Sequence, residues 1–432
     1  MEIVPIIIIF VIFGIILFSY SREKADFVSI SLLGTIIAVL IVNLSVPTTF
    51  EEFLTYVEFK AILLLLGMQI ITHIAREAHV LEYFAISLLR LSKGNQRALF
   101  YVICISTTLL AAIIADVVVA LILAPIVIRI CRYLKLKAGT YLLGMTIVIN
   151  IGSIITPFSS GENIIISEYF QLNTTYFITY YWLFSFLLLF LTIFLIDFFL
   201  LRKEPIEEAE QRAFIMEILN PSMVITDRKQ FLLTSIIFIG TIVSFVFISE
   251  MYIVALISAT ILVLITNKQG ERPIREIFKE INWEVIFFFM SLMIFIGCMQ
   301  IIGVFEIFQL QELQQYNVFI VSLIILILVS VISGILANTP TMLVFLPIVD
   351  SLINVYNFSS VPLIFALLVA VNLGGNILPQ GAMCDVVTLK TAQQNQVINF
   401  SFRRLLIVGA IFAGIHILCS ALFLFVLSIF FG

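Results

Sequence analysis

Charge is what this sequence has least of. Asp, Glu, Lys and Arg together make up 12% of its 432 residues, about half of the roughly 25% usual in a soluble domain. Hydrophobic residues make up 62%. This composition excludes a soluble globular domain and requires a polytopic membrane protein. The net charge of −4 points to no particular partner, and no nucleic acid is expected. The five cysteines (Cys104, Cys131, Cys298, Cys384 and Cys419) lie in or beside apolar segments and form no CxxC pair. That rules out a disulfide framework and a thiolate metal site. The first apolar run has no basic residues before it, so it reads as a retained span and not a cleaved signal. Long polar segments are missing as well, apart from one at 202–230, which reads as a solvated linker.

What the chain does have is an internal repeat. Residues 98–171 align with 320–393 at a constant offset of 222: Ala115-Asp116 with Ala337-Asn338, Pro125 with Pro347, Asn150, Gly152 and Pro157 with Asn372, Gly374 and Pro379, and Asn163 with Asp385. Upstream the offset is 224, pairing Asn43 with Asn267, Glu82 with Glu306 and Phe84 with Phe308. A repeat in a membrane chain, with Gly and Pro breaks at matching positions, is the sequence sign of a secondary transporter and its binding site.

The expected fold class is an all-α polytopic membrane protein made of two inverted repeats. Repeat one covers 1–202 and repeat two covers 231–432, joined by a cytoplasmic linker at 203–230. Each repeat is read as five spans and one re-entrant hairpin. Repeat one has spans near 3–20, 27–45, 59–75, 140–171 and 176–201, with its hairpin at 98–131. Repeat two has spans near 231–248, 251–267, 283–302, 361–393 and 405–430, with its hairpin at 317–355. Each span is long enough for the ~20 residues a bilayer needs.

The basic residues orient this map. If the loop holding Arg90, Lys93 and Arg97 is cytoplasmic, nearly every other Lys and Arg falls on that side, and only Lys60 falls outside. Five crossings per repeat is an odd number, so the second repeat is upside down relative to the first. No Lys or Arg lies between Asn317 and Tyr356, which places the ends of the second hairpin outside. The N-terminus is then outside, 202–230 is cytoplasmic, and the membrane is the plasma membrane.

Polar residues and helix breakers interrupt two spans. Span 140–171 contains Asn150, Gly152, Ser153, Thr156, Pro157, Ser159, Ser160, Gly161, Glu162 and Asn163. Span 361–393 contains Asn372, Gly374, Gly375, Asn376, Pro379, Gly381 and Asp385. Unwound backbone at membrane depth persists only where protein or a water-filled cavity covers it. Its carbonyls can hold a cation, and the half-helix N-termini can face an anion. A proline kink repaired by neighbouring helices is the plainer reading; two breaks at matching positions, each dense in Asn and Gly, argue against it.

Asp116 lies at the tip of the first hairpin and Asp385 at the end of the second break. A carboxylate at membrane depth costs about 2.5–3.5 kcal/mol on insertion scales and calls for a cation, a proton or donors. Asp and Asn trade places between Asp116/Asn338 and Asn163/Asp385. If each tip meets its own break, Na⁺ sites form at Asp116 with Asn163 and at Asn338 with Asp385. Glu82 and Glu306 are interfacial; Glu162 abuts the first break and could join a site, although its repeat partner, Cys384, lends it no support from symmetry. His73 and His79 read as surface groups and His416 as a satisfied interior histidine.

At these residues the chain resembles the ion transporter superfamily: arsenite/antimonite permeases, NhaD-type sodium/proton antiporters, the melanosomal P-protein type, citrate transporters and divalent anion/sodium symporters. The resemblance rests on Ala115-Asp116-Val117…Pro125, on Asn150-Ile151-Gly152…Thr156-Pro157…Asn163, on Ala337-Asn338-Thr339…Pro347, and on Asn372-Leu373-Gly374-Gly375-Asn376. It covers nearly the whole chain. It implies opposed hairpins, cation sites between tips and breaks, a homodimer and elevator-like movement. Carried over, Asp116, Gly152 and Asn163 form one site, and Asn338, Thr339, Gly374 and Asp385 the other.

The chain departs from the family pattern at Asp116 and Asp385, where Asn is usual, and at Val117, which lacks a hydroxyl. Extra carboxylates suit cation or proton handling better than dicarboxylate uptake. The expected function is therefore a secondary transporter coupled to H⁺ or Na⁺, with no other cofactor, moving Na⁺ or a small anion or metalloid such as arsenite. The ion- and substrate-binding set is Asp116, Asn150, Gly152, Ser153, Thr156, Asn163, Asn338, Thr339, Asn372, Gly374, Asn376 and Asp385. The rival readings are a dicarboxylate, citrate or other oxyanion symporter, a channel, and an intramembrane aspartyl enzyme. The last lacks the Gly-x-Gly-Asp element such an enzyme needs, and no enzyme activity is expected.

Overall fold

The computed structural model describes residues 3–20, 25–204, 221–266, 274–308 and 310–431. Most of the 203–230 linker, together with Arg22, Lys24, Asn267, Lys268 and Arg272 of the charge and repeat arguments, lies outside them. The regular elements of the described residues are all helices, with no strand among them. Seven of the helices are long and apolar enough to cross a membrane.

In chain order, the first helices are α1 (Ile3–Tyr20), α2 (Phe27–Ser45), the short α3 (Phe50–Leu54), α4 (Phe59–Glu77) and α5 (Val80–Arg90). The first hairpin is α6 (Gln96–Ala111) and α7 (Asp116–Tyr133). The first interrupted span is α8 (Ala138–Gly152) and α9 (Gly161–Tyr169), followed by α10 (Thr174–Tyr180) and α11 (Trp182–Phe199). The second half runs through α12 (Arg228–Phe247), α13 (Met251–Thr266), α14 (Ile274–Glu280) and α15 (Trp283–Ile301). The second hairpin is α16 (Val318–Leu336) and α17 (Asn338–Asn354). The second interrupted span is α18 (Ser360–Gly374) and α19 (Met383–Gln394), and α20 (Phe402–Phe431) closes the chain.

Helix α2 shows how such a bundle is held together in lipid. Its buried side is Ser31, Gly34, Thr35, Ala38 and Val42, while Leu32, Leu33, Ile36, Ile37 and Leu40 are exposed. Large apolar groups gain nothing by leaving lipid, so small residues form the contacts and let the backbones approach. Polar groups then tie the helices: Thr35 Oγ1 donates to Ser291 O at 2.9 Å, and Ser291 Oγ donates to Ser31 Oγ at 2.9 Å. Gly67 of α4 serves the same purpose, because a Cβ there would lie 2.8 Å from Ala255 Cβ of α13.

The two interrupted spans form the centre. Every residue of α8 is buried, as is every residue of α18 from Pro362 to Gly374. The 15 residues of α8 reach about 22 Å at 1.5 Å each, short of the ~30 Å hydrocarbon core. Crossing therefore requires α9 beyond the break. Helix α6 packs on α8 and α16 on α18, each hairpin arm against the span that follows it. Across the molecule, α7 packs on α19 and α17 on α9. Both leading arms start from an asparagine cap: Asn95 Oδ1 accepts from Ala98 N at 3.0 Å, and Asn317 Oδ1 accepts from Ile320 N at 2.9 Å.

Charges gather at the two ends of this core. At one end Arg97 and Arg202 flank Asp197 at 3.5 and 3.8 Å. There also Arg132 donates to Asn395 O at 3.2 Å, Arg404 to Thr140 Oγ1 at 2.9 Å, and Thr140 to Glu204 Oε1 at 2.5 Å. At the far end of the interrupted span, Lys60 pairs with Glu250 at 3.2 Å, with Glu58 and Glu168 close by.

Candidate ion-binding site at two broken helices

The helices break where glycine lets another backbone come close. A Cβ on Gly152 would lie 2.7 Å from Thr108 O, and one on Gly374 would lie 2.5 Å from Ser330 O. In each case the carbonyl belongs to the leading hairpin arm, 222 residues apart in the two halves. Beyond Gly152, residues 153–160 leave helical geometry and fold on their own polar groups. Ser159 Oγ donates to Ser153 O and Thr156 O at 2.5 and 2.8 Å, and Thr156 Oγ1 donates to Ala112 O at 2.5 Å. Asn163 Nδ2 donates to the same two carbonyls, Ser153 O and Thr156 O, at 2.6 and 2.9 Å. The first break is therefore ordered by Ser153, Thr156, Ser159 and Asn163, which answer the carbonyls that the lost helix turns leave free.

The second break is closed by the tip of the second hairpin. The Asn338 side chain lies over Gly375. With its amide nitrogen turned to the carbonyls, it donates to Val371 O at 2.9 Å and to Gly381 O at 3.3 Å. The tip itself is tight: Ala337, between α16 and α17, has φ 79° and ψ 162°, a region seldom occupied by a residue with a Cβ.

The two breaks are joined to each other by side chains. Asn150 Nδ2 donates to Asn376 Oδ1 at 2.9 Å, and Asn372 Nδ2 donates to Asn163 Oδ1 at 3.0 Å. Thr146 Oγ1 donates to Asp385 Oδ1 at 2.5 Å. The Cys384 thiol lies 3.5 Å from Asn150 Oδ1 and 3.8 Å from Asp385 Oδ1, and it also neighbours Asp116. Thr339 Oγ1 donates to Glu162 Oε1 at 2.5 Å. The hydrogen bonds made by Asn150, Asn163, Asn372 and Asp385 thus reach from one half of the chain to the other. Asp116 faces Glu162 and Cys384, whereas the amide of Asn163 is taken up by its own break and by Asn372.

Four helix N-termini converge here. Asp116 begins α7, Asn338 begins α17, and Glu162 and Asp385 stand in the first turns of α9 and α19. The positive ends of these helices offset carboxylate charge. No ion pair among the described residues involves Asp116, Glu162 or Asp385. The acids form a chain and not a cage, since no three His, Cys, Asp or Glu among the described residues group as a metal site. Their exposure is graded: Asp116 and Glu162 are half-buried, and Asp385 is 1% exposed. Beside them Asn376 Nδ2 is buried without a partner.

Ser159, Glu162, Thr146, Cys384 and Tyr20 also stand at this centre, outside the set read from sequence. Thr146 carried a faint signal, one helical turn before Asn150 and on the same face. Glu162 carries the signal of a carboxylate beside a break in an apolar span, without support from its repeat partner, Cys384. Tyr20, whose hydroxyl lies against Thr339 beside Glu162, gave no sequence signal.

Deeply buried, broken helices inside an apolar all-helical bundle are the architecture of a multi-pass secondary transporter. The chain belongs to the citrate transporter family, whose model matches residues 8–331 and, in an overlapping second match, 253–431. It is 24% identical over 426 residues to an uncharacterized transporter of Mycobacterium tuberculosis strain H37Rv, covering 96% of this chain and 97% of that one. It is 23% identical to a 46 kDa membrane protein of Mycobacterium leprae over 87% of this chain and 89% of that one. A shorter likeness, 32% over 111 residues, links it to the human P protein and covers 26% of this chain and 13% of that one. In fold alone it is similar to the YdaH transporter of Alcanivorax borkumensis, with a TM-score of 0.58 over 89% of this chain and 88% of that one, at 11% identity. The protein is a membrane transporter for a small ion, not an enzyme, which removes the intramembrane aspartyl reading.

Proposed function

We propose that this transporter is driven by H⁺ or Na⁺ bound at Asp116 and Asp385, and that it carries Na⁺ itself or a small anion or metalloid such as arsenite. The observation that supports this most is the Asp385 carboxylate. It is 1% exposed, accepts from Thr146 of the other half, and takes part in no ion pair among the described residues. A buried charge with that surrounding is compensated by a proton or cation during the cycle. The two halves, 1–202 and 231–432, form an inverted pair whose hairpins enter from opposite faces. The end rich in Arg97, Arg132, Arg202 and Arg404 is cytoplasmic, in the plasma membrane, with the N-terminus outside. The hairpins and broken helices move together against the remaining helices, elevator-like, in a homodimer.

Citrate or dicarboxylate symport is the second reading, favoured by the description of the matching family. It requires the helix N-termini and a co-bound cation to hold the anion, because none of the ion pairs among the described residues brings Lys or Arg to the three carboxylates.

The test is transport by purified protein in proteoliposomes under imposed H⁺ or Na⁺ gradients, with labelled Na⁺, arsenite and citrate as probes. Asp116→Asn and Asp385→Asn should each abolish gradient-driven uptake while leaving the thermal transition in place. Full gradient-driven transport by both variants would remove the proposal. A thermal-shift comparison identifies the ligand beforehand, since a ligand at a hundred times its Kd stabilises by about 2.7 kcal/mol.

A further inference from the structure

The last turn of α11 carries a charged cluster that the ion site does not use. Its centre is the buried carboxylate of Asp197. Arg97 Nε lies 3.5 Å from Oδ1, Arg202 Nε lies 3.8 Å from Oδ2, and the Tyr101 hydroxyl reaches Oδ2 at 3.4 Å. The two nitrogen–oxygen distances are those of ion pairs, longer than direct charged hydrogen bonds. The carboxylate therefore gathers two guanidiniums without saturating them. Both are about half-exposed, and their other nitrogens meet no acceptor among the described residues.

The charges do not balance. One arginine neutralises Asp197, and the second leaves a surplus positive charge. Glu204, the next carboxylate along the chain, is taken up by Thr140. Arg97 also stands in the first turn of α6, whose positive end adds to the surplus. An ion pair that only tied α6 to α11 would need neither the second cation nor the open guanidinium edges.

Beside this cluster α11 presents an apolar face. Leu183, Leu187, Phe190, Phe194 and Phe198 are exposed and recur at helical spacing. The Arg202 guanidinium lies over the Phe198 ring, 5.0 Å from its centroid, and Phe198 stacks on Phe194 at 6.2 Å. This cation–π contact holds the guanidinium at the head of the apolar stripe.

We propose that Arg97 and Arg202 form a binding site for an anionic phospholipid, with the phosphodiester across the two guanidinium edges and the acyl chains along the α11 stripe. Arginine matches phosphate oxygens with paired donors, and basic pockets between transmembrane helices recognise anionic headgroups. A free phosphate has nothing to lay on the stripe, so the occupant is a lipid. Once bound, it joins the leading arm of the first hairpin to α11, two helices that both pack on α8. The site is independent of which ion drives transport and of what is carried.

Native mass spectrometry of the full-length protein in a neutral detergent tests this, with phosphatidylglycerol and phosphatidylcholine of the same acyl chains as probes. The wild type should bind one phosphatidylglycerol about thirtyfold more tightly than phosphatidylcholine, from about fivefold for each arginine. Arg97→Gln/Arg202→Gln/Asp197→Asn removes both cations together with the buried carboxylate they pair, and should bring the two lipids to equal affinity. If that variant fails to fold, Phe198→Leu serves, because it leaves both ion pairs in place; it should weaken phosphatidylglycerol alone by about two- to fivefold. Equal affinities in the wild type, or a full preference that survives in the variant that folds, overturn the proposal. Inorganic phosphate should raise the wild-type thermal transition no more than chloride does at the same ionic strength. A rise equal to that given by phosphatidylglycerol would make the ligand a free anion and also overturn it.

Discussion

Asparagine at the breaks is set apart from aspartate by what its nitrogen does. Asn163 Nδ2 donates to Ser153 O and Thr156 O while its Oδ1 accepts from Asn372. Asn163→Ala removes these three hydrogen bonds from a buried site, at about 0.5–1.5 kcal/mol each, while Ser159 Oγ still reaches both carbonyls and Asn372 Nδ2 still reaches Leu368 O. Asn163→Asp is worse, because it turns an acceptor toward two carbonyls. Both should lower the thermal transition in detergent, Asn163→Asp by more, whereas Asp385→Asn keeps its acceptor oxygen for Thr146 and should unfold close to wild type. An Asn163→Asp variant as stable as wild type would show that the break is held by something else. This explains the exchange of Asp and Asn between the halves seen in the sequence: at 163 the structure uses a donor and at 385 an acceptor. The residues that break the spans were legible because Asn, Gly and Pro are out of place in apolar segments. Their partners were not. Thr146 and Asp385 are 239 positions apart, and Thr339 and Glu162 are 177 apart, distances over which no local pattern speaks.

At the scale of helices, the close crossings of α6 on α8 and α16 on α18 depend on Gly152 and Gly374. A methyl group at 152 would lie 2.6 Å from Ala111 Cβ, and one at 374 would lie 2.8 Å from Ser330 Cα. The obstacle in each case includes backbone, which cannot turn aside. Gly152→Ala and Gly374→Ala should each cost about 1–3 kcal/mol by overpacking, visible as a lower thermal transition. Alanine at Gly14 or Gly240, which have nothing within 4 Å of a built Cβ, should leave the transition unchanged and serves as a control. An unchanged transition in Gly152→Ala would mean that the hairpin arm can slide on its span. The helices begin and end within a few residues of the apolar runs, and seven of them are long and apolar enough to cross a membrane. The short helices α3, α5 and α14, which lie between the apolar runs, were not foreseen, and neither was the division of the span read at 176–201 into α10 and α11 at Tyr181. Tertiary contacts decide such details more than pattern does: Thr174 at the start of α10, for example, donates to Phe245 O of α12 at 2.6 Å.

For the whole molecule, the proposal of opposed hairpins turns on which end of the core each hairpin's base occupies. The base of the first hairpin lies with the basic end, where Arg132 reaches Asn395 O and the start of α8 meets α20 through Arg404 and Thr140. The base of the second hairpin lies near Tyr169, toward the acidic end with Glu168 and Lys60. A membrane potential and anionic inner leaflet keep Lys and Arg on the cytoplasmic side, so the two bases should be reachable from different compartments. Four of the five native cysteines are buried and the fifth, Cys419, is only partly exposed, so single cysteines can be introduced without removing them. In intact cells, a membrane-impermeant maleimide should label Glu250→Cys and Asn354→Cys at once, and Lys135→Cys and Arg403→Cys only after permeabilisation. Labelling of Lys135→Cys and Asn354→Cys from the same side would rule out the inverted arrangement. It would leave the family membership and the hydrogen bonds of the centre as they stand, because those depend on how the helices pack and not on which way the bundle faces.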